Sequence, residues 1–393
     1  MNQAPSYILW LPSWYPNKLA PYDGDFIQRH AKAVSAYIPL HVLHIIRDEK
    51  GTITKSLKIE ENKSGNLAEV IIYYYSRKRN LKILDRFLSM NKFGKIYRDY
   101  ISLFFKANDL PELVHVHISF KSGLIAGWIE KRWGIPYVLT EHWTVYLDEA
   151  KPALNDLSFV HQYMISKIMT NALLVLPVSD YLGKALKKKW PSIEFETIPN
   201  VVDTDIFYSA EQTPNNKLHL IHISTFTYQK DPENLFKALG LLKKEDINFS
   251  LDLFGPVTES ILNLVKVENI EKEIIIHGEV PQLILSEYLK KADALILYSR
   301  YESFGCVIIE ANACGVPVIV TDTQLMHELV EENINGILVQ PGSAIELAKA
   351  LMNYSVIKNS FNRNKIAART IEKYSFNKVG KMIAGIYDRY RKS

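Results

Sequence analysis

Two glutamates eight positions apart, Glu302 and Glu310, are the residues of this chain whose spacing most strongly suggests chemistry. They enclose the segment SFGCVII, and the apolar run 292–299 precedes them directly. That run is short and rich in β-forming residues, which predicts a buried parallel strand, and the residues after Gly305 predict a helix that ends at Gly315. A strand, a tight loop and a helix in this order present free backbone N–H groups to an anion such as a phosphate.

The two carboxylates suit a polyol ligand. Glu310 lies on the first turns of the predicted helix, where it can accept paired hydrogen bonds from vicinal hydroxyls such as those of a ribose, and Glu302 can do the same for a second sugar. Gly305 allows a ligand to approach the backbone closely. The segment that includes Ser303 and Phe304 thus offers contacts for a phosphate, a ribose and a sugar. The alternative is that both glutamates are ordinary carboxylates near the positive end of a helix dipole.

The segment ESFGCVIIEANACGVPVIVTD resembles the donor-site signature of retaining glycosyltransferases of family 4, the group 1 glycosyltransferases with the GT-B fold. Other segments similar to this family follow in the same order as in the family: WYP (14–16), GDFIQRHA (24–31), VHVHIS (114–119), PYVLTEHW (136–143), LPVSDYL (176–182) and IPNVVDTDIF (198–207). In the last of these, Val201 replaces a glycine. The resemblance implies an α/β protein with two Rossmann-like, doubly wound parallel-sheet domains that face a cleft.

Length and hydrophobic pattern predict the same organisation. A chain of 393 residues is too long for a single core and suits two domains. Strand candidates alternate with helices, which is typical of parallel sheets covered on both faces. The candidates of the first half are 6–11, 40–46, 69–75, 112–117, 136–140 and 172–178. The polar stretch 209–217 separates them from the candidates of the second half, which are 218–224, 249–255, 273–279, 294–299 and 316–321. We predict an acceptor-binding domain over 1–205, a nucleotide-sugar-binding domain over 206–375, and a last helix over 376–393 that returns to the first domain.

Composition narrows the class of protein. The 47% apolar content is ordinary for a globular protein, and no apolar run of 18 residues is present, so no membrane-spanning helix is predicted. The first residues predict a strand and not a signal peptide. The two cysteines, Cys306 and Cys314, lie on one predicted helix where a disulfide does not close easily, and we expect both to be reduced in a cytoplasmic protein. The chain has no Walker or GxGxxG loop, which argues against an NTPase or a dehydrogenase.

Positive charge concentrates in the segment 77–106, which has nine basic and two acidic side chains. Leu81, Leu84 and Leu88, and then Ile96, Tyr100 and Leu103, recur at helical spacing, which predicts a basic amphipathic segment formed by two helices that break near Gly94. One interpretation is attachment to an anionic membrane surface, on the inner face of the plasma membrane, beside a lipid-linked acceptor. The other is a pair of helices that covers the first sheet and keeps its basic side in water. The segment carries no recognised nucleic-acid-binding pattern, so we expect no nucleic-acid partner.

Loops after strands supply the other candidate site residues, because ligands of doubly wound folds bind at the carboxyl ends of the strands. Gly24 and Asp25 follow the first strand, and Gly24 either admits a donor phosphate or acceptor or is a plain turn glycine. His142 is the strongest candidate of the first half: the resemblance places it against the sugar donor at the reaction centre, and the alternative is a structural histidine. His115 and His117 alternate on one strand, and we expect them to pack in the core.

Lys230 follows a strand and precedes a helix for which Asp231 and Pro232 predict an N-cap and first residue. A lysine here can place a fixed positive charge on a departing diphosphate, where charge accumulates as the glycosyl bond breaks. The family commonly has Gly-Arg where this chain has Ser224 and Thr225. We include Thr225 in the nucleotide-sugar site, although the replacement leaves open how the diphosphate is neutralised.

These observations predict a hexosyltransferase. The resemblance implies transfer from a nucleoside diphosphate sugar with retention of anomeric configuration, without a metal or a cofactor, and the predicted acceptor is a saccharide or lipid-linked saccharide of a cell-surface polysaccharide or glycoconjugate. Catalysis is assigned to His142, Lys230 and Glu302. A sugar-nucleotide 2-epimerase and a non-catalytic nucleotide-sugar binder are the alternatives, and a glucan phosphorylase is disfavoured by length. Four aromatic residues are candidate platforms for sugar stacking or apolar core: Trp10, Trp14, Tyr15 and Trp143.

Overall fold

The computed structural model describes residues 7–76, 82–211 and 217–390, apart from the side chains of 82–84 and 86. The first half forms a seven-stranded sheet of order β3-β4-β2-β1-β5-β6-β7, in which all neighbours are parallel except the antiparallel pair β3 and β4. Its strands are β1 (Ile8–Pro12), β2 (Leu40–Asp48), β3 (Leu57–Ser64), β4 (Leu67–Tyr75), β5 (Leu113–His117), β6 (Tyr137–Glu141) and β7 (Leu174–Pro177).

The second half forms a six-stranded, fully parallel sheet of order β10-β9-β8-β11-β12-β13. Its strands are β8 (Leu218–Ile223), β9 (Phe249–Phe254), β10 (Ile274–Gly278), β11 (Ala294–Leu297), β12 (Val318–Thr321) and β13 (Gly336–Val339). In both sheets the chain order reverses at the first strand, so each sheet has a crevice at the carboxyl ends next to β1 or β8. This confirms the predicted pair of doubly wound sheets.

Helices cover both faces of both sheets, as the alternating pattern predicts. They are α1 (Asp25–Ser35), α2 (Lys82–Ala107), α3 (Ser122–Trp133), α4 (Phe159–Asn171), α5 (Asp180–Lys189), α6 (Pro232–Lys244), α7 (Glu259–Val267), α8 (Gln282–Lys291), α9 (Cys306–Ala313), α10 (Met326–Leu329), α11 (Ala344–Ile357), α12 (Arg363–Tyr374) and α13 (Phe376–Tyr390). The last helix, α13, packs against α1 of the first half. Beneath this contact the buried Trp10 indole donates a 3.0 Å hydrogen bond to the Tyr387 hydroxyl, so the end of the chain completes the first core.

Each of the eleven predicted strands overlaps an observed one, and two strands were not predicted. The edge strand β3 is mostly exposed and rich in charged residues, so it lacks the apolar alternation by which strands are recognised. The strand β13 has only four residues and begins at Gly336. The polar stretch 209–217, predicted to separate the halves, lies partly outside the described residues.

The predicted break near Gly94 is wrong, because α2 is one helix from Lys82 to Ala107. The predicted apolar stripe is confirmed in part: Ile96 and Tyr100 pack against the core, whereas Leu103 is 68% exposed. The buried residues of this helix are instead Phe93, Tyr97, Ile101 and Phe105. A glycine inside a helix costs only about 1 kcal/mol relative to alanine, which the burial of four large side chains exceeds. Leu81 and the side chain of Leu84 lie outside the described residues. In the described ranges, no helix combines the length and apolar character that a membrane span needs.

Candidate functional site

A cavity of about 530 Å³ lies between the two sheets, at the carboxyl ends of their strands. The first half contributes aromatic and polar side chains that include Trp14, Tyr22, Phe26, Trp143 and Asn200. Eight of the ten predicted site residues line it: Asp25, His142, Thr225, Lys230, Glu302, Ser303, Phe304 and Gly305. Gly24 and Glu310 do not. The fold therefore brings together most of the residues that the sequence singled out from distant segments.

The loop between β11 and α9 forms one wall of the cavity. Gly305 is the N-cap of α9 and has a φ of 89°, a left-handed conformation that residues with a side chain rarely adopt. The loop turns at this glycine, and Cys306 and Val307, the first residues of α9, line the cavity. The N–H groups at the start of a helix have no partner inside it, so they are available to a ligand there. The predicted arrangement of strand, loop and helix N-terminus is confirmed.

Glu302 is fixed from three directions. Its Oε1 accepts a hydrogen bond of 2.8 Å from Ser299 and a short contact from the Lys230 ammonium, and its Oε2 accepts 3.0 Å from the Gln229 amide. The carboxylate is buried, with 6% of its side chain exposed, and so is most of Lys230, at 16%. The cavity thus presents a lysine and a glutamate as a preformed ion pair, with Lys230 held beside the loop that precedes α9.

Lys230 ends a short 3₁₀ turn, and the next residue, Asp231, precedes α6 as its N-cap residue. Asp231 adopts a left-handed conformation with φ 45° and makes no side-chain cap to α6. Its carboxylate instead contacts Arg300 and accepts 2.9 Å from Asn234. Asp231 is therefore the N-cap residue and Pro232 lies in the first turn of α6, as predicted, although the Asp231 carboxylate makes no hydrogen bond to the helix backbone.

Among the described residues that line the cavity, Lys230 is the single lysine or arginine. Thr225 lines the wall without adding a charge. Arg300, the nearby alternative, stacks on the Tyr228 ring at 4.2 Å and pairs with Asp231. The cation absent from the usual family position is thus not replaced in the described part of the cavity lining.

Glu310 is buried behind the wall and does not face the cavity. Its Oε1 accepts a 2.7 Å hydrogen bond from Nη1 of Arg29, which comes from α1 in the other half of the chain. Both side chains are 5% exposed. Burial raises the pKa of Glu310, and the charge of Arg29 opposes that rise. The carboxylate proposed for ribose is therefore, in this arrangement, part of an ion pair that joins the two halves.

Gly24 is required by its turn and packing. Its φ is 67°, and a Cβ atom there would lie 2.5 Å from the backbone carbon of Trp14. The glycine therefore packs against the loop after β1, outside the cavity lining. Its neighbour Asp25 does reach the cavity, where it accepts 2.6 Å from the Gln282 amide across the cleft and lies 3.4 Å from Arg29.

His142 forms part of the cavity wall directly after β6. Burial, and then the neighbouring His30, lower its pKa well below the usual range, so the ring is neutral. The loop that carries it is fixed by Glu141, whose carboxylate accepts N–H bonds of 3.0 Å from His142 and 3.1 Å from Trp143, and a 3.0 Å bond from Tyr146. Sequence reasoning did not single out Glu141, although a glutamate at the end of an apolar strand was a signal for it.

The remaining candidates separate by burial. Trp10 and Tyr15 are core residues, while Trp14 and Trp143 line the cavity and pack edge to face at 6.5 Å.

His115 and His117 are fully buried, as expected. Cys306 and Cys314 are free thiols, as expected. Tyr22, Asn200 and Glu279 line the cavity and were not predicted as site residues. Asn200 lies in the family-like segment 198–207, which could have pointed to it, whereas Tyr22 and Glu279 belong to loops without a recognisable pattern.

Two protein-family models together match most of the chain. Residues 64–206 match Glycosyltransferase Family 4, and residues 204–373 match Glycosyl transferases group 1. The chain is a family 4, group 1 glycosyltransferase. The fold and the resemblance predicted from the sequence are both confirmed, and the junction of the two matched regions lies between β7 and β8.

Curated relatives of this glycosyltransferase match along most of its length. An uncharacterized glycosyltransferase of Methanocaldococcus jannaschii is 25% identical over 354 residues, which is 89% of this chain and 94% of that protein. A putative teichuronic acid biosynthesis glycosyltransferase, TuaC, of Bacillus subtilis is 26% identical over 370 residues, or 88% of each chain.

Solved structures show the same fold. A sucrose-phosphate synthase of Thermosynechococcus elongatus superposes with a TM-score of 0.79 at 19% identity, over 98% of both chains. Anabaena HepE in complex with UDP and glucose superposes with a TM-score of 0.72 at 16% identity, over 98% of this chain and 100% of HepE. The architecture of the glycosyltransferase is therefore GT-B.

Proposed function

We propose that this glycosyltransferase moves a hexosyl group, with retention of configuration and without a metal in the transfer step, from a nucleoside diphosphate sugar to a saccharide or lipid-linked saccharide. The Lys230–Glu302 pair at the N-terminus of α9, inside the interdomain cavity, is the observation that carries this proposal. The HepE complexes with UDP, UDP and glucose, and UDP-glucose support a nucleotide-sugar donor. The similarity to TuaC, a putative teichuronic acid biosynthesis glycosyltransferase, supports an acceptor in polysaccharide synthesis.

We assign the diphosphate to Lys230 and to the backbone N–H groups of Phe304 and Gly305. Negative charge accumulates on the leaving diphosphate as the glycosyl bond breaks, so a fixed ammonium stabilises the transition state more than the ground state. Glu302 already holds Lys230 in place, which removes the cost of ordering a long side chain during the reaction. Its carboxylate also offers lone pairs to sugar hydroxyls.

We assign the anomeric end of the donor to His142 and the cavity aromatics. A neutral imidazole can accept or donate a hydrogen bond to the sugar, and Trp14 and Trp143 provide apolar surface that excludes water from the oxocarbenium-like state. The ribose is assigned to Glu310. Because Arg29 occupies Oε1 of that carboxylate, ribose hydroxyls either use Oε2 or compete with the guanidinium.

Thermal-shift measurements test the donor site. At 100 times its dissociation constant the correct nucleotide stabilises the fold by about 2.7 kcal/mol. We expect one of UDP, GDP, ADP and CMP, or its sugar conjugate, to raise the melting temperature of the wild type and to have a smaller effect on Lys230→Ala. The matched control is Lys349→Ala, an exposed lysine of α11. No shift with any nucleotide would contradict the proposal.

Product analysis tests the reaction class. We expect transfer to an acceptor with the anomeric configuration of the donor, observed by NMR, and a rate that added Mg²⁺ or Mn²⁺ does not change. An inverted product would overturn the proposed retention. Release of nucleotide with an altered sugar and no transfer product would instead indicate an epimerase.

We further propose that α2 contacts an anionic membrane on the cytoplasmic side, where a lipid-linked acceptor would be held. Three exposed basic residues of α2, Lys95, Arg98 and Lys106, accompany Phe87 and Leu103, whose side chains are 63% and 68% exposed. A basic helix face with exposed apolar residues binds anionic lipid headgroups.

Vesicle sedimentation tests this contact. We expect the protein to sediment with vesicles that contain phosphatidylglycerol and to be released by salt. Replacing Lys95, Arg98 and Lys106 by glutamine should reduce the bound fraction, whereas the same change at Lys187, Lys188 and Lys189 of α5 removes equal charge and should not. Equal binding by both triple variants would refute a specific role for α2.

A further inference from the structure

Three buried histidines from three separate elements converge behind the cavity wall. His30 comes from α1, His117 ends β5, and His142 follows β6. Their ring centroids are 6.3 Å apart for His30 and His117, 5.8 Å for His30 and His142, and 6.0 Å for His117 and His142. One ring nitrogen from each lies within 4.8 Å of the other two. We call these three residues the histidine cluster.

Most ring nitrogens of the histidine cluster make no hydrogen bond to a described residue. Both nitrogens of His117, both of His142 and Nδ1 of His30 are buried and unpaired. Buried polar atoms are almost always paired in folded proteins, so five unpaired nitrogens at one place indicate a ligand-binding role. The adjacent His115 differs, because its nitrogens contact the Tyr387 hydroxyl at 2.5 Å and the Thr140 hydroxyl at 2.7 Å.

The chemistry of the histidine cluster suits a transition metal. Burial lowers the pKa of His30 to about 3, and lowers that of His117 and His142 well below the usual range, so all three rings carry lone pairs at neutral pH. Imidazole nitrogens favour Zn²⁺, Cu²⁺, Ni²⁺ and Fe²⁺ over Mg²⁺ or Ca²⁺. The Nε2 of His30 lies 3.2 Å from the Pro199 carbonyl. An N–H directed at that carbonyl leaves Nδ1 as the acceptor, the arrangement typical of metal-binding histidines.

The charges around the histidine cluster also suit a cation. Arg29 is the adjacent positive group, and its guanidinium pairs with Glu310 at 2.7 Å and with Asp25 at 3.4 Å. Two carboxylates and one guanidinium thus leave a net negative charge beside the histidine cluster. His142 and Asn200 both line the cavity, and the amide oxygen of Asn200 is buried and unpaired. Because His142 lines the cavity, we expect a water molecule from the cavity to complete the ligand set.

We propose that His30, His117 and His142 form a binding site for one divalent transition-metal ion, with Zn²⁺ as the reference ion. Zinc–nitrogen bonds of about 2.0–2.1 Å place tetrahedral ligand nitrogens roughly 3.4 Å apart, so small side-chain rotations close the site around the ion. The ion ties α1 to β5 and β6, and it fixes the ring of His142 at the cavity wall. This site is separate from the proposed diphosphate contacts, and the transfer step still needs no metal on the donor.

Metal titration of the tag-free protein tests this site. After treatment with a chelator, the protein is titrated with Zn²⁺ or Co²⁺, and metal content, melting temperature and the visible absorption of Co²⁺ are measured. We expect one equivalent of zinc per chain, a rise in melting temperature, and cobalt bands typical of four-coordinate geometry. A wild type that binds no stoichiometric zinc or cobalt and shows no shift would overturn the inference.

Matched histidine variants locate the ion. His117→Asn removes one ligand, and His44→Asn is the control, because His44 is also buried in the first sheet and has an unpaired Nε2 but lies outside the cluster. We expect the first variant to lose stoichiometric binding and the second to keep it. Retained binding in His117→Asn would refute the site; should that variant not fold, His30→Gln makes the same test.

The test of the metal site can fail or succeed separately from the test of the proposed donor site. Nucleotide-induced thermal shifts are recorded for the metal-free and the zinc-loaded protein. Nucleotide binding without zinc binding overturns only the metal site. Zinc binding without nucleotide binding overturns only the proposed donor site.

Discussion

The ion pair between Arg29 and Glu310 supports a quantitative prediction about how the two halves hold together. Its Nη1–Oε1 distance is 2.7 Å, both side chains are 5% exposed, and the partners come from different halves of the chain. Removing one member of a buried pair leaves an uncompensated charge, which costs about 3–5 kcal/mol. We therefore expect Arg29→Met to lower the free energy of unfolding by about that amount at neutral pH.

The loss should depend on pH in a definite direction. Burial raises the pKa of Glu310 above its unfolded value, and removing Arg29 removes the charge that opposes this rise. The folded variant then holds its proton at pH values where the unfolded chain has lost it. Its stability should therefore be highest near and below the unfolded pKa of about 4.3, and should fall as pH rises from there toward the folded pKa.

Equilibrium unfolding in urea measures both effects, at pH 7 and at pH 5. Replacing both residues, in Arg29→Met with Glu310→Met, should recover most of the loss, because no fully buried charge is left unpaired. Asp25, the other partner of Arg29, is 32% exposed and is solvated by water. Lys349→Met is the surface control, since its pair with Glu346 is exposed and worth at most about 1 kcal/mol. The reasoning is refuted if Arg29→Met costs no more than Lys349→Met, or if the double variant is as unstable as the single.

Three further predictions concern the reaction, the pH response and the backbone. Lys230→Met should lower kcat by roughly 10²–10³-fold in steady-state assays with saturating donor, since its charge acts mainly on the departing diphosphate; a change confined to KM would contradict that role. The pKa of His219 is raised, chiefly by its hydrogen bond to Asp252, so its contribution to stability is present below about pH 6.5 and lost as pH rises through the folded pKa. His219→Gln should therefore flatten the decline in melting temperature between pH 6 and 8.5, and an unchanged profile would refute it. Gly24→Ala should destabilise the protein by more than 1 kcal/mol in urea unfolding, because its Cβ atom would lie 2.5 Å from the backbone of Trp14 and its φ is 67°. The control is Gly127→Ala in α3, which should be neutral or stabilising because the space around Gly127 is open. Equal effects of the two substitutions would contradict the packing argument.

Local patterns predicted the elements well where one face or both faces of an element are apolar. The strand at 292–299 and the helix after Gly305 were predicted because an apolar run and a glycine mark them unambiguously. The same reasoning failed for β3, whose charged edge position removes the alternation. It also failed in α2, where Gly94 suggested a break that packing against the sheet overrides.

Local patterns also identified some of the candidate site residues and missed the contacts that they make. Glu302, Lys230 and His142 were recognisable because each follows a predicted strand, and strand ends meet in a doubly wound fold. The partners of these residues were not recognisable. Nothing in the local sequence says that Glu310 binds Arg29, or that the Asp231 carboxylate contacts Arg300 and makes no hydrogen bond to the backbone of the helix it precedes.

The amino-acid sequence thus determined the class of the fold, the positions of most strands and one wall of the cavity, because these depend on periodicity and on residues close together in the chain. Tertiary structure alone decided the pairing of Arg29 with Glu310, the enclosure of Gly24 by the loop after β1, and the meeting of His30, His117 and His142. The first and the last of these join segments far apart in the chain, and the second joins a loop to residues about ten positions away. Their distances and burial depend on how two whole sheets and their helices pack, which no local pattern encodes.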